Sequence, residues 1–464
     1  MGDRAAWTAG TACKSEHTDD RMRVAERALA ELARRGASGE VHVASVSGLT
    51  AEFSAGKLRN CSADGRVHLS VRASRSGRIG FYSTTDASNP GEAVERALET
   101  AECGEELEIA FPSRGIPGGD MPPAAFDPEV ADMAADALVR QVGALTAEVE
   151  AATPGSQVRS AGRRETEDTV LVNTAGGVVR DRHTALTLFV ELSRFAAEDV
   201  LLLFQEAGAA RLHDPAVEGF PARLGDLYGA AATQAGLAPG KRRVVLAPEA
   251  AYVLLAPMFQ GVNGLNAVRG TSPLIGKVGS QVLDSRFTLT DDPWLDWAIG
   301  SALWDEEGTP TRRKHVFRGG VFKGFLHDLR SAAMGRTEST GNGRRVRGQA
   351  PQIGPYSLVI EPGDLPMADL LAEADGGLYV ASVIGGGPGG LAGAFSHPVG
   401  VGYLVKDGRL AGRVKDVAIA GNVYDLGRHG LVGLEDRTHT VGSMYGAALK
   451  VPHILLDGVD VAGK

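Results

Sequence analysis

The sequence predicts an α+β protein in which a sheet-and-helix N-terminal domain precedes a β-rich, barrel-like C-terminal domain. The chain has 464 residues, which is enough for two or three domains with their own cores. It contains 61 glycines and only 6% aromatic residues, a composition that favours turn-rich β structure over a helix bundle. Runs of alternating apolar and polar residues are interspersed with amphipathic helical segments, as expected for this class.

The first predicted element is an amphipathic helix over residues 20–35. Met22, Ala25 and Leu32 recur at helical spacing and share one face. Residues 1–19 contain no apolar core segment, so they predict a disordered leader rather than a secretory signal.

A meander of strands follows this helix. Asp64-Gly65 is a dipeptide typical of a hairpin turn, so the sequence predicts a turn there. A second helix then covers residues 92–103. The predicted strands are 40–46, 51–57, 66–74 and 78–82.

The rest of the N-terminal domain is also predicted to contain both helices and strands. Residues 104–126 are rich in proline and predict an extended linker. Pro239-Gly240 marks the domain boundary, so the predicted domains are 20–238 and 239–464. Between linker and boundary, the predicted helices are 127–149 and 223–235, and the predicted strands are 157–165, 169–173, 183–193 and 199–205.

Residues 241–282 are the stretch around which the C-terminal domain is organised. A strand leads into Pro248, where a helix can start because proline lacks an N–H that the first turn leaves unpaired. Glu249 lies in that first turn, where the helix dipole favours a carboxylate. Pro257 predicts the end or a kink of the helix, and residues 261–270 predict a loop.

This stretch resembles the start of the C-terminal domain of the TldD/PmbA family, and the resemblance extends over most of the chain. SGRIGF, ending at Phe81, is similar to a segment of the family's N-terminal domain. Seven further segments occur in the family's order: Gly270–Val282, Asp305–Thr311, Gly320–Asp328, Ser339–Arg345, Gly376–Val380, Asp407–Leu426 and Val451–Gly463.

The resemblance implies a particular kind of subunit. TldD-like members carry an HExxxH helix that binds zinc together with a late cysteine, whereas TldE (PmbA)-like members keep the fold without these ligands. This chain reads PEAAYVLL from Pro248 and resembles the second kind. The resemblance therefore implies a heterodimer with a TldD-like HExxxH paralogue, which holds the zinc and hydrolyses unfolded peptides. This chain would complete the chamber and position the peptide as a catalytically inactive subunit.

The residues themselves also predict no metal and no cofactor in this chain. Two zinc-binding imidazoles must share a helix face, but Ala250 and Val253 have no donor atoms. No two of the six histidines beyond residue 300 are four residues apart, and the three cysteines all lie before residue 104. Glu249 is therefore interpreted as a carboxylate that interacts with the helix dipole.

Two loops supply the predicted peptide-binding residues, and no catalytic residue is assigned. Guanidinium groups can hold carboxylates or carbonyls of a peptide, and backbone N–H groups of a glycine-rich loop can line its path. The alternatives are a solvated charge run and a mobile loop. The predicted residues are Asn342, Arg344, Arg345, Arg347, Gly386 and Gly387. The acidic segment 305–308 is predicted to be a turn whose carboxylates accept backbone N–H groups.

Composition bears on the protein's binding partners and its cellular location. The formal net charge of −9 argues against direct nucleic-acid binding, and no apolar run is long enough to span a membrane. The sparse cysteines predict free thiols and a cytoplasmic location.

Two other functions remain open from the sequence. One is a stand-alone hydrolase of a biosynthetic pathway, which would lose activity when His397 or Glu249 is replaced. The other is a peptide-binding homodimer without catalysis. Ser396 and His397 do not form a catalytic pair, because adjacent residues on a strand point to opposite faces.

Overall fold

The structure is a computed structural model that describes residues 15–113, 123–196, 199–346, 348–385, 390–444 and 447–463. Its N-terminal part combines long strands with helices. The helices are α1 (Ser15–Arg34), α2 (Pro90–Glu102), α3 (Pro128–Ala131), α4 (Ala135–Ala152), α5 (Pro215–Glu218) and α6 (Phe220–Ala230). The strands are β1 (Ser38–Ser54), β2 (Lys57–Arg75), β3 (Arg78–Thr84), β4 (Glu105–Glu106), β5 (Gln157–Asn173), β6 (Val178–Ala196) and β7 (Asp199–Ala209).

In the described residues these strands form one antiparallel sheet of seven strands in the order β4-β3-β2-β1-β5-β6-β7. The prediction of a turn at Asp64-Gly65 is wrong, because β2 runs straight through it and Asp64 pairs with Gly48 of β1. The hairpin turn lies instead at Ala55-Gly56, where both residues have positive φ. The strands predicted at 157–165 and 169–173 are likewise one continuous strand, β5.

Alternate residues of the long strands face opposite sides of the sheet. One side packs against helices: Val41 and Val43 of β1 are buried with residues of α1 and α2, and Leu49 is buried with residues of α4. The other side carries His42 and Ala44 and faces loops of the C-terminal part. This second face is where the candidate site lies.

The C-terminal part is mostly β structure with short helices. The strands are β8 (Gly240–Leu246), β9 (Leu289–Asp291), β10 (Lys314–Arg318), β11 (Val321–Phe322), β12 (Gly343–Arg344), β13 (Gln352–Ile353), β14 (Ser357–Ile360), β15 (Leu378–Val383), β16 (Ala394–Lys406), β17 (Arg409–Val414), β18 (Val417–Asn422), β19 (Leu431–Leu434), β20 (His439–Met444), β21 (Ala447–Val451) and β22 (Ile454–Gly463). The helices are α7 (Tyr252–Val262), α8 (Gly264–Val268), α9 (Leu329–Gly335), α10 (Met367–Glu373) and α11 (Val423–Asp425).

A barrel forms the centre of this part. Within the described residues, β15, β8, β22, β18 and β16 pair in that order, and pairing of β15 with β16 closes the ring. Apolar side chains of the barrel pack with α7 in one core, which includes Val244, Leu246 and Ile419. The predicted α+β class and the barrel-like C-terminal domain are therefore confirmed.

Several predicted boundaries differ from the structure. Helix α1 begins at Ser15, before the predicted start, and residues 1–14 lie outside the described residues. The predicted linker contains the short strand β4. Pro257 lies inside α7, whose residues are nearly all buried, and the predicted loop 261–270 contains α8. Among the described residues no helix is long and apolar enough to cross a membrane.

Candidate functional site

The helix at the end of β8 contains no set of metal ligands. Pro248–Ala250 forms one 3-10 turn, and α7 continues from Tyr252. Val253 is fully buried in the barrel core. Proline, alanine and valine side chains have no donor atoms, so the zinc ion of an HExxxH helix does not fit here.

Glu249 connects the two parts of the chain. It lies in the first turn, as predicted, but its side chain also reaches the N-terminal sheet. Gln205 of β7 donates from Nε2 to Glu249 Oε1 at 2.8 Å, and Arg223 of α6 donates from Nε to Gln205 Oε1 at 2.8 Å. Burial lowers the pKa of Arg223, although the nearby Glu249 carboxylate opposes this shift. Glu249 therefore fastens the helix to the sheet.

A cavity of about 450 Å³ lies between the second face of the sheet and loops of the C-terminal part. Its volume is in the range of pockets that bind small molecules or short peptide segments. The strands β1, β2, β5 and β6 form its floor. Charged and aromatic residues in its lining include His42, His68, Glu165, Glu167, Asp181, His183, Trp304, Asp305, Glu306, Arg344, Arg345 and Tyr356.

Two of the predicted peptide-binding arginines line this cavity. The Arg344 guanidinium lies 4.5 Å from the centre of the Tyr356 ring and 3.7 Å from a Glu306 oxygen. Arg345 donates from Nε to the Glu306 carbonyl at 2.9 Å and pairs with the Glu40 carboxylate. The buried Nη1 of Arg345 has no hydrogen-bond partner among the described residues, so it can donate to a ligand.

The other predicted site residues lie elsewhere. Asn342 is fully buried, and its amide nitrogen donates to Asp291 Oδ2 at 2.8 Å and to the Gly354 carbonyl at 2.9 Å. These bonds fix the loop that carries the arginines. Arg347, Gly386 and Gly387 lie outside the described residues.

The structure adds a partly buried ion pair that was not predicted from the sequence. Asp181 Oδ2 lies 2.9 Å from His183 Nε2 on the cavity side of β6. Burial opposes both charges, but the mutual attraction lowers the pKa of Asp181 and raises that of His183. His183 Nδ1 is buried and has no hydrogen-bond partner in the described part of the chain. The D-x-H spacing on a strand was the available signal, since residues i and i+2 share a face.

The acidic segment 305–308 is a turn, as predicted. Asp305 Oδ1 accepts the N–H groups of Glu307 at 3.0 Å and Thr309 at 2.8 Å, and Oδ2 accepts that of Gly343 at 2.9 Å. Gly308 takes the positive φ that the turn needs. Burial nevertheless raises the pKa of Asp305 to about 7.

This raised pKa predicts a pH-dependent stability. A carboxyl group whose pKa is higher in the folded state stabilises the fold fully below its unfolded pKa of about 4, and this contribution is lost as pH rises through about 7. Urea unfolding of the wild type and of Asp305→Asn between pH 4 and 8 tests this. The stability difference, wild type minus variant, is expected to shrink with rising pH. A pH-independent difference would contradict the expectation.

His397 is a core residue and has no catalytic partner in Ser396. Its side chain is buried and contacts the rings of Tyr252 at 6.0 Å and Phe395 at 6.4 Å between centroids. Ser396 lies on the exposed side of β16. The prediction that these neighbours point to opposite faces is confirmed.

Comparison with known proteins identifies the family. The sequence model of the PmbA/TldA metallopeptidase C-terminal domain matches residues 239–463, and that of PmbA/TldA metallopeptidase domain 1 matches residues 39–102. Together these matches cover more than half of the chain.

Individual relatives agree with this match. A metalloprotease from Archaeoglobus fulgidus is 31% identical over 202 residues, which are 43% of this chain and 47% of the relative. A metalloprotease from Methanothermobacter thermautotrophicus is 23% identical over 385 residues, covering 80% of this chain and 82% of the relative. Two proteins from Methanocaldococcus jannaschii match over 44% and 42% of their lengths. With the Archaeoglobus relative, the chain therefore spans less than half the length of these three relatives.

The crystal structure of TldE from Thermococcus kodakarensis has the same fold. Its TM-score is 0.85 at 24% identity, and the superposition covers 96% of this chain and 100% of that chain. The α+β fold with its closed barrel is therefore the fold of that TldE. The chain belongs to the TldD/PmbA family of metallopeptidases.

Proposed function

We propose that this chain is the TldE-like subunit of a heterodimeric peptidase. It holds an unfolded peptide for a TldD-like partner, whose HExxxH helix binds zinc and carries out hydrolysis. The observation that carries the proposal is the helix that starts at Pro248, because it keeps its place in the fold while its ligand positions have no donor atoms. The family names refer to metallopeptidases, so the catalytic metal is assigned to the partner.

The cavity supports a role in holding peptide. An extended peptide presents carbonyl acceptors and N–H donors, and the lining offers groups of both kinds. Arg345 Nη1 has no hydrogen-bond partner among the described residues, and the carboxylates of Glu306 and Asp181 are acceptors in the lining. Because the lining carries both acidic and basic side chains, the pocket suits a polar main chain better than a highly charged molecule such as nucleic acid.

An exposed apolar surface on the same face of the sheet supports association with a partner. At one end of β6 and β7, large apolar side chains project away from the helices, and Phe195 is directly opposite Val200. Such patches on soluble proteins mark interaction sites. We call this set the β6–β7 patch: Phe195, Val200, Leu202 and Phe204, which are 64%, 53%, 45% and 41% exposed.

A charge in the β6–β7 patch is expected to weaken the heterodimer. Phe204→Glu places a carboxylate in the proposed interface, where it would be desolvated without a partner. We expect at least about a tenfold higher Kd for the TldD-like subunit, equivalent to 1.4 kcal/mol. Leu58→Glu is the matched control, since Leu58 is also exposed, at 46%, but lies on β2. If Phe204→Glu and Leu58→Glu bind the TldD-like subunit with equal affinity, the β6–β7 patch is not part of the interface.

The experiment that tests the proposed function is purification of the tagged chain from its native cells, with mass spectrometry of stoichiometric partners. Recovery of an HExxxH protein in equal amount supports the heterodimer. Recovery of a homodimer alone contradicts it and favours either the stand-alone hydrolase or the non-catalytic homodimer. Peptidase activity of that homodimer, and its loss in Glu249→Gln, distinguishes these two functions.

A cytoplasmic location fits this proposal. Cys61 and Cys103 are both exposed and free in the structure, as expected where thiols stay reduced. Separation of cytoplasmic from envelope fractions, with immunodetection of the chain, tests the location directly.

A further inference from the structure

A cluster of two histidines and a glutamate lies at one end of the barrel, apart from the cavity. Glu435 directly follows β19, His439 begins β20, and His453 lies between β21 and β22. The backbone holds these segments together, because the Glu435 N–H donates to the His453 carbonyl at 3.0 Å and His439 pairs with Val451. The cluster is therefore set by the strand pairing of the fold.

The side chains converge on one carboxylate oxygen. Glu435 Oε2 lies 2.8 Å from His439 Nε2 and 2.6 Å from His453 Nδ1. All three potential ligand atoms lie within 4.8 Å of one another. The side chain of Glu435 is 3% exposed, and those of His439 and His453 are 27% and 12% exposed. The cluster is thus buried at the carboxylate and open to solvent at the imidazoles.

Two imidazole nitrogens and one carboxylate oxygen are a donor set typical of zinc. Hard cations such as Mg²⁺ and Ca²⁺ prefer sites made of oxygen alone, so the donor set selects against them. We infer that Glu435, His439 and His453 bind one zinc ion, with further coordination supplied by solvent.

The surroundings of the cluster fit a metal site. The second nitrogen of His453, Nε2, lies 3.1 Å from the hydroxyl of Tyr379. Metal-binding histidines usually hold their other nitrogen in such a hydrogen bond, which fixes the orientation and the tautomer of the ring.

The positively charged side chain of Arg437 lies near the cluster and would repel a bound zinc ion. Arg437 Nε lies 3.5 Å from Glu435 Oε1. The Arg437 side chain is 67% exposed and also lies 3.3 Å from Asp436 Oδ1, so it has a second carboxylate at the surface. The oxygen that both imidazoles contact is Oε2, the other oxygen of the Glu435 carboxylate.

None of the three cluster residues belongs to the donor-free helix that starts at Pro248. The cluster lies at the same end of the barrel as that helix, because Ile454, next to His453, pairs with Leu246, two residues before Pro248. The inferred ion joins β19, β20 and the β21–β22 turn and so stabilises this end of the barrel. A zinc ion at this cluster contradicts the sequence prediction of no metal in this chain. Glu435 and His439 are four residues apart in the sequence, a spacing of a carboxylate and an imidazole that a comparison of histidine positions alone does not include.

The test uses the full, untagged chain after dialysis against a chelator, with Zn²⁺ alone as the probe. Isothermal titration is expected to give one zinc per chain. His439→Ala and His453→Ala should each weaken zinc binding by at least about tenfold. Replacement of a residue that only hydrogen-bonds a metal ligand already weakens binding by about that much. His429→Ala is the control, since His429 is exposed and outside the cluster. Equal zinc binding by all four proteins, or none by the folded wild type, would overturn the inference.

A second measurement keeps the inference testable if the variants do not fold. X-ray absorption of the zinc-loaded wild type should show nitrogen and oxygen ligands at about 2.0–2.2 Å, with imidazole scattering. A sulfur shell at about 2.3 Å would instead place the ion on the exposed cysteines and overturn the assignment. Zinc should also raise the Tm of the wild type and of His429→Ala, as any ligand of the folded state does. An unchanged wild-type Tm at saturating zinc would contradict the inferred stabilisation.

Discussion

Replacement of Arg72 by methionine is expected to lower the free energy of unfolding by about 3–5 kcal/mol, the cost typical of breaking a buried ion pair. Arg72 of β2 is 4% exposed and lies 2.6 Å from a Glu307 oxygen and 2.9 Å from a Glu40 oxygen. Methionine fills similar space but leaves the Glu307 carboxylate in the interior without its cation, and leaves Glu40 with Arg345 as its remaining cationic partner. Urea denaturation followed by circular dichroism measures the loss.

Two further variants show whether the ion pair causes this loss. Arg66→Met is the matched control, since Arg66 lies on the same strand but is exposed. It should stay within about 0.5 kcal/mol of the wild type. Glu307→Gln in the Arg72→Met background removes the stranded carboxylate and should recover part of the stability. A loss below about 1 kcal/mol in Arg72→Met would show that the N-terminal sheet and the loop at Glu307 are held together by other contacts.

Filling the cavity is expected to weaken peptide binding by the proposed peptidase complex. Ala185 lies on β6 on the same face as Asp181 and His183 and lines the cavity. Ala185→Trp places an indole ring in the space assigned to the peptide, whereas the core packing on the other side of the sheet is unchanged. We expect KM for an unfolded peptide to rise at least about tenfold, or 1.4 kcal/mol in binding, while heterodimer affinity stays the same.

The control for this variant is Ala63→Trp. Ala63 is exposed on β2 and is not part of the cavity lining, so the added ring should leave KM within about twofold of the wild type, less than 0.5 kcal/mol. If Ala185→Trp binds peptide as the wild type does, and circular dichroism shows that its fold is intact, the peptide does not bind in this cavity.

Local patterns predicted the fold class well, whereas continuous strands were harder to recognise. Alternation of apolar and polar residues located β1, β2 and β5, but polar residues and glycine within them were interpreted as turns. Asp64-Gly65 is tolerated inside β2 because that end of the strand is exposed and Asp64 pairs with Arg163 of β5 at 2.7 Å. A turn dipeptide is a local signal, and a cross-strand ion pair of this kind cannot be read from the sequence.

The candidate sites also combine features that the sequence predicts with features that only the fold reveals. The missing donors of the helix at Pro248 are visible in the sequence, since they depend on residue types at fixed spacing. The cavity depends on which loops meet the sheet, and its Asp181–His183 pair therefore became apparent only in the fold. The cluster of Glu435 and His453 likewise joins residues that only strand pairing brings together. Arg344 and Arg345 were predicted from the run of arginines in their loop, and both line the cavity. Asn342 beside them is a buried structural residue.

The most direct test of the proposed function is the rate at which an unfolded peptide is cleaved by three samples. These are this chain alone, a TldD-like HExxxH subunit from the same cells alone, and the two mixed in equal amounts, each with zinc. Cleavage only by the mixture, and its loss when the partner's HExxxH glutamate is replaced, is the expected result. Cleavage by this chain alone at the rate of the mixture would contradict its role as the subunit without the peptidase site.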